Sequence, residues 1–296
     1  MKLDGKIIYI AFALLIMFSC SKKKNGNLHS TQTKEIICAE KFYKQDEFSL
    51  KKPANWHVEY TGSCSSFAFA VFDSLNPEIR AFFVHSLGPV YLSLPKKRSD
   101  LALIKSYGFQ IPHFAMPVID PFTPSKFLLE TSKVLEIQEN EKYKNICPNF
   151  KKAKIINTEE TEALFHSSKT EIIHLIFTSH NQVLEGLVTI TTLPDLNSEG
   201  ENISGLGNAY MIVGVCAPPE KFEYNVCCLF EILQSFHLEE QVYQDCVSGE
   251  TYLNLQIAKA GKWLGNSVSA LKIAWNNIDE TDKDLVSYYT DSTVVR

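Results

Sequence analysis

The stretch EIIHLIFTSHNQVLEGLVTITTL, residues 171–193, contains two apolar runs on either side of Ser179-His180-Asn181-Gln182. Both runs are rich in Ile, Leu, Val and Thr, which favour the extended backbone of a β-strand. A short polar turn between two such runs is typical of a β-hairpin. We therefore predict two antiparallel strands here, with a sheet as the centre of the fold.

Further strand and helix patterns lie on both sides of this hairpin. Alternation predicts strands over residues 48–52 and 56–60, which are expected to meet at a turn over 53–55. Apolar runs predict more strands at 67–71, 78–86, 90–94, 150–158 and 209–217. Helices are predicted over 98–107, ended by Gly108, and over 126–143. After Pro218-Pro219, one face of a further helix carries Phe222, Val226, Leu229, Leu233 and Phe236. The fold class is therefore α+β, an antiparallel sheet covered by helices.

Two blocks of the chain resemble a known family. YKQDEFSLKKPANW, residues 43–56, is similar to the opening of PsbP-like domains, and YMIVGVCAPPEKFEYNVCCLFEILQSFHL, residues 210–238, is similar to their end. The resemblance implies a PsbP-like α+β domain over residues 42–238, with an insertion over 98–124. The matching positions are fold residues, so no functional residue is carried over from the family.

The N-terminus has the features of an export signal. Lys2 and Lys6 precede an uncharged run over residues 7–18, which is shorter than the ~20 residues that a membrane-spanning helix needs. Ser19 and Cys20 follow, and they resemble the lipobox of bacterial lipoproteins, in which the cysteine is acylated after cleavage. We predict a signal peptide over 1–19 and lipidation, including palmitate, at Cys20. An uncleaved anchor or an ordinary secreted protein is the alternative.

Residues 20–41 are predicted to form a flexible tether behind the lipidated cysteine. Two acyl chains give stable anchoring where a single chain does not. Lys22, Lys23 and Lys24 then lie against anionic lipid headgroups, or else belong to a plain solvated linker. The expected location is the cell envelope, with the protein anchored to a bacterial membrane through lipid and facing the periplasm.

Composition limits the partners. The chain of 296 residues has a formal net charge of −5 and no basic cluster beyond the tether, so nucleic acid is not an expected partner. Seven cysteines remain besides Cys20, an odd number, and an oxidising compartment permits disulfides among them. They are Cys38, Cys64, Cys147, Cys216, Cys227, Cys228 and Cys246. The adjacent pair, Cys227 and Cys228, is predicted to act as small buried apolar residues.

No motif in the chain names a reaction. His166, His174 and His180 lack the spacing of a metal site on a helix, and the glycines of residues 204–208 precede a strand and not a helix N-terminus. Cys64 with His57 as base is the one nucleophile hypothesis, against which Cys64 is a disulfide partner or inert. We therefore predict no catalytic, metal or cofactor site.

The C-terminal segment, residues 239–296, is predicted to be an appendage. Trp263 and Trp275 are candidate contacts with an envelope protein, because aromatic side chains are enriched at interfaces. In the alternative, both pack back on the parent domain. The functional expectation is a non-catalytic binding or scaffolding lipoprotein, and a thiol- or His-dependent hydrolase of the envelope is the rival.

Overall fold

The computed structural model describes residues 41–45, 47–108, 112–138, 141–195, 202, 204–241 and 260–291. All of these belong to one compact unit, Ile37–Arg296. The predicted signal peptide, Cys20 and the tether up to residue 40 lie outside the described residues. None of the described helices is long and apolar enough to cross a membrane.

The centre of the fold is an antiparallel sheet of seven strands in the order β3-β4-β5-β9-β8-β7-β6. The strands are β3 Trp56–Thr61, β4 Ala68–Asp73, β5 Arg80–Tyr91, β6 Lys151–Thr161, β7 Lys169–Ser179, β8 Gln182–Pro194 and β9 Leu206–Ala217. The predicted hairpin is confirmed as β7 and β8, in which Ser179 pairs with Gln182. His180 and Asn181 form its two-residue loop, with φ of 46° and 64°, as a type I′ turn requires.

Helices cover both faces of this sheet, which is why its strands read as nearly continuous apolar runs. They are α1 Leu94–Tyr107, α2 Pro124–Gln138, α3 Glu141–Ile146, α4 Pro219–Gln234, α5 Ala260–Asn277 and α6 Glu280–Asp291. One core cluster lies between the sheet and α2 and α3, and the other between the sheet and α4 and α5. The predicted class, α+β with an antiparallel sheet covered by helices, is confirmed.

The predicted turn between residues 52 and 56 is present, but the two strands that it joins do not pair. Phe48–Lys52 forms β2 of a separate three-stranded sheet, between β1 Lys41–Lys44 and β10 His237–Leu238. The prediction was incomplete because alternation along one strand identifies the strand but not its neighbour. Strand β5 also differs, since it continues through Gly88-Pro89 with a bulge between Leu87 and Val90.

Two helices begin or end elsewhere than predicted. Helix α1 begins at Leu94 and not at residue 98, because the Ser93 side chain accepts a hydrogen bond from the Lys96 N–H and caps the first turn. Its end at Gly108 is confirmed, with the left-handed φ of 74° that favours glycine there. The single helix predicted over 126–143 is two helices, α2 and α3.

The predicted apolar face of α4 is confirmed for Phe222, Val226, Leu229 and Leu233, which are fully buried. Phe236 was predicted on the same face, but the helix ends at Gln234 and Phe236 is half-buried beyond it. The C-terminal segment is helical where it is described, and α5 extends the same core. Its buried positions recur at helical spacing and are Leu264, Val268, Leu271 and Ala274. This part of the chain therefore packs on the sheet and helps to bury its second face.

Candidate functional site

A cleft of about 460 Å³ opens at one end of the large sheet. Its walls are formed by β3 with the neighbouring ends of β4 and β5, by the tip of the β7–β8 hairpin, and by α2, α3 and the residues that follow α3. We call it the Arg80 cleft. Its lining residues are Glu59, Phe72, Arg80, Ser132, Leu135, Glu136, Lys144, Asn145, Cys147, Pro148, Asn149, Ser179 and His180.

Arg80 supplies a fixed positive charge to this cleft. The residue is only 7% exposed, yet it lines the cleft. Its Nε donates to the Pro77 carbonyl at 2.8 Å, its Nη1 donates to the Asn145 carbonyl at 2.9 Å, and the guanidinium carbon lies 5.7 Å from the centre of the Phe72 ring. Among the described residues, no carboxylate forms a salt bridge with Arg80.

The hairpin tip adds a histidine held by a buried carboxylate. His180 Nδ1 lies 2.6 Å from Glu78 Oε1, and Ser179 Oγ donates to the same oxygen at 3.5 Å. An ionised carboxylate only accepts hydrogen bonds, so Nδ1 carries the proton in this pair. Glu78 is 7% exposed, whereas the His180 side chain is 81% exposed. The pair therefore anchors the hairpin tip beside the cleft.

Two buried thiols lie close to Arg80. Cys216 pairs with Arg80 across β5 and β9, and Cys147 lines the cleft. Burial raises the pKa of both thiols to about 12, although the nearby guanidinium opposes the shift. Both groups are thus protonated at neutral pH, and a protonated thiol is a poor nucleophile.

The hypothesis that Cys64 acts as a nucleophile is wrong. Cys64 is disulfide-bonded, so it offers no thiolate, and the alternative of a disulfide partner is confirmed. His57 is exposed on β3, with its ring 5.9 Å from that of Phe72. The prediction for the adjacent cysteines was wrong for Cys228, which is buried but disulfide-bonded, while Cys227 is only half-buried.

The three histidines that the sequence singled out are separated by the fold. His174 lies under α5 on the face opposite the α2 side, where its Nε2 is 2.9 Å from Glu185 Oε1. His180 is at the hairpin tip, and His166 is exposed in the turn before β7. Within the described ranges, no group of three or more His, Cys, Asp or Glu residues could hold a metal ion.

The two remaining predictions concern the glycine loop and the tryptophans. Gly205 precedes β9 as predicted and has a φ of 66°, whereas Gly207 lies inside the strand, which begins at Leu206. Trp275 is half-buried, and its ring packs edge-on against Phe222 at 5.3 Å. The side chain of Trp263 lies outside the described residues. The contact of Trp275 is the one expected if the segment packs on its own domain, and its role toward a partner stays a prediction.

Sequence reasoning missed Arg80, although its signal was present. EIRAFFVHS, residues 78–86, places one arginine at the start of an apolar strand. A charged residue in such a run is either exposed at the strand end or buried beside groups that pair with its charge. The sequence does not distinguish these two cases, because Asn145, whose carbonyl accepts from Nη1, lies 65 positions further along the chain.

Comparison with known proteins finds similarity to solved structures. No protein-family profile matches the chain, and no curated protein matches it. The solution structure of cyanobacterial PsbP (CyanoP) from Synechocystis sp. PCC 6803 is similar over 72% of this chain and 98% of its own, with 11% sequence identity and a TM-score of 0.27. It belongs to the family that the two sequence blocks resemble. At this TM-score the similarity carries no argument about the cleft.

Proposed function

We propose that this chain is a lipid-anchored protein of the bacterial envelope with a non-catalytic binding role, and that the Arg80 cleft is its ligand site. The observation that carries the proposal is the buried guanidinium. Burying a charge is costly unless a partner compensates it, and among the described residues Arg80 is contacted by two carbonyl oxygens and one aromatic ring. A cation held in this way beside an open cleft is suited to receive a ligand.

The anchor rests on the sequence at residues 7–24. An apolar run that ends at Ser19-Cys20 suits cleavage and acylation, and the three lysines that follow suit an anionic surface at about 1 kcal/mol each. The net charge of −5 does not favour nucleic acid. An envelope protein remains a candidate partner, with Trp263 and Trp275 as its contacts.

Lipidation is tested by labelling cells with an alkyne fatty acid. We expect Cys20→Ala to abolish the label and Cys38→Ala, a matched cysteine change in the same stretch of chain, to retain it. Undiminished label on the Cys20→Ala protein would remove the anchor from the proposal.

The binding role is tested by asking what the purified protein retains. Ser132 lies on α2 at the cleft, and its Oγ donates to Asn149 Oδ1 at 2.6 Å. Ser132→Trp should fill the cleft, whereas Ser99→Trp on the exposed side of α1 should not. Mass spectrometry after denaturation should find a small molecule released by the wild type and by Ser99→Trp but not by Ser132→Trp. An identical set from all three proteins would contradict the proposal.

A hydrolase is the second candidate, and the His180–Glu78 pair is the observation that favours it. Glu78 orients the imidazole through Nδ1, which leaves Nε2 as a base for a water molecule. Two features argue against it: Ser179 Oγ lies 3.2 Å from Nδ1 and not beside Nε2, and the ring is largely open to solvent. Ester hydrolysis of p-nitrophenyl acetate should therefore be the same for wild type, His180→Gln and the control His166→Gln. A selective loss in His180→Gln would favour the enzyme.

A further inference from the structure

We infer that the Arg80 cleft binds a small organic molecule through a single carboxylate group. This inference rests on the proposed function, because it takes the cleft as the ligand site and adds the chemical class of its ligand. It is carried by the unused donors of Arg80, by the way the guanidinium is held, and by the charges around it.

Arg80 has N–H donors that form no hydrogen bond within the described residues. A guanidinium has five N–H donors. The carbonyl oxygens of Pro77 and Asn145 accept one hydrogen bond from Nε and one from Nη1. Nη2 has no hydrogen-bond acceptor within the described part of the chain. The end of the fork thus remains available, and two parallel N–H groups there match the two oxygens of a carboxylate.

The guanidinium of Arg80 is held in one position before any ligand binds. The Nε and Nη1 hydrogen bonds hold it from two sides, and the Phe72 ring lies against it at 5.7 Å. A side chain that is ordered before binding loses less conformational entropy when the ligand arrives. Asn145 is itself tied to the opposite wall, because its Nδ2 donates to Glu59 Oε1 at 3.1 Å.

The charges of the cleft favour a carboxylate over a phosphate as the bound group. Glu59 and Glu136 line the same cleft, where they offset the charges of Arg80 and Lys144, and Glu78 is buried beside the hairpin tip. These carboxylates oppose a dianion, since like charges in a partly desolvated site repel strongly. A single carboxylate bound to the guanidinium adds less negative charge to the cleft than a phosphate dianion does. The body of the ligand meets Phe72 and Leu135, and about 460 Å³ lies in the usual range of small-molecule sites.

The experiment uses ¹⁹F NMR on the full chain in detergent micelles, with three probes of one shape. They are 4-fluorobenzoate, the neutral 4-fluorobenzamide and the dianionic 4-fluorophenyl phosphate. We expect 4-fluorobenzoate to bind at least about tenfold more tightly than either of the others, because a charge-assisted pair contributes more than a neutral hydrogen bond.

Two arginine variants test the contact itself. Arg80→Gln should weaken 4-fluorobenzoate by at least about tenfold, whereas Arg98→Gln, the same change on the exposed side of α1, should leave it unchanged. If Arg80→Gln fails to fold, Ser132→Trp keeps the guanidinium and blocks the cleft, and it should abolish binding in the same titration.

Several results would overturn the inference. They are tighter binding of the phosphate probe, equal binding of all three probes, no binding of 4-fluorobenzoate, or 4-fluorobenzoate binding that survives Arg80→Gln or Ser132→Trp. The proposed binding role is judged separately by the molecules that Ser132→Trp no longer retains. A cleft-dependent molecule without a carboxylate would therefore refute the ligand class and leave the role intact.

Discussion

Truncating Leu271 to alanine tests whether the C-terminal helix belongs to the core. Leu271 lies on α5, is 0% exposed and belongs to the same core cluster as Phe222 and Leu229 of α4. Removing a fully buried leucine side chain costs its transfer free energy plus the free energy of the cavity that remains, ~2–5 kcal/mol in total. A loss of about 3 kcal/mol in a unit of this size should lower the Tm by roughly 6–12 °C.

The matched control lies two residues away. Ile273 is 58% exposed on the same helix, so Ile273→Ala should change the free energy of unfolding by less than about 0.5 kcal/mol. Urea unfolding followed by far-UV circular dichroism measures both variants. If Leu271→Ala were as stable as Ile273→Ala, α5 would not be part of the core. The segment could then be a detachable docking element, as the composition of residues 239–296 first suggested.

Two further predictions concern the α2 side of the sheet. A Cβ at Gly214 would stand 2.4 Å from Phe82 Cζ, so Gly214→Ala should destabilise the protein by ~1–3 kcal/mol. Gly265→Ala is the control, because nothing lies within 4 Å of a Cβ there, and it should be neutral or stabilising by up to ~1 kcal/mol. Equal urea midpoints for the two variants would contradict the packing of Phe82 against Gly214. Burial raises the pKa of Cys147 and Cys216 to about 12, so iodoacetamide at pH 8 should label both thiols in urea and neither in the folded protein. Because the folded-state pKa lies above the unfolded value, the contribution of these thiols to the free energy of unfolding is complete below the ordinary thiol pKa and is lost as the pH rises toward 12. Urea midpoints should therefore fall between pH 9 and 11. Rapid labelling of the folded protein would refute the burial of the two thiols.

Much of the fold could be predicted from local pattern. The hairpin of β7 and β8 follows from two apolar runs around His180-Asn181, because a two-residue loop of this kind forces neighbouring strands to pair. The helix after Pro218 follows from apolar residues spaced four and three apart. The two partners of β2, which are β1 and β10, could not be predicted, since its alternation suits any neighbouring strand, and the pairing with β10 connects residues about 190 positions apart.

The candidate site was much less predictable. Of the residues that line the cleft, the sequence pattern brings His180 into consideration as a metal ligand and then argues against that role, and it assigns none of them to a binding site. Cys64 and His57 attracted notice as a nucleophile and base, but a disulfide removes the thiol from that role. Residue type indicates what a side chain can do, whereas its pKa, bonding and access depend on neighbours that come from elsewhere in the chain.

The sequence by itself determined which segments form the seven strands of the large sheet, which face of α4 is apolar, and where a lipidation signal would stand. Those features depend on residues within about one turn or one strand of each other, so periodicity records them. Only the tertiary structure decided that α5 completes the core and that Arg80 is buried at a cleft without a salt-bridge partner among the described residues. The physical reason is that burial and charge pairing arise where Pro77, Asn145 and His180, far apart in the chain, are brought around one end of the sheet.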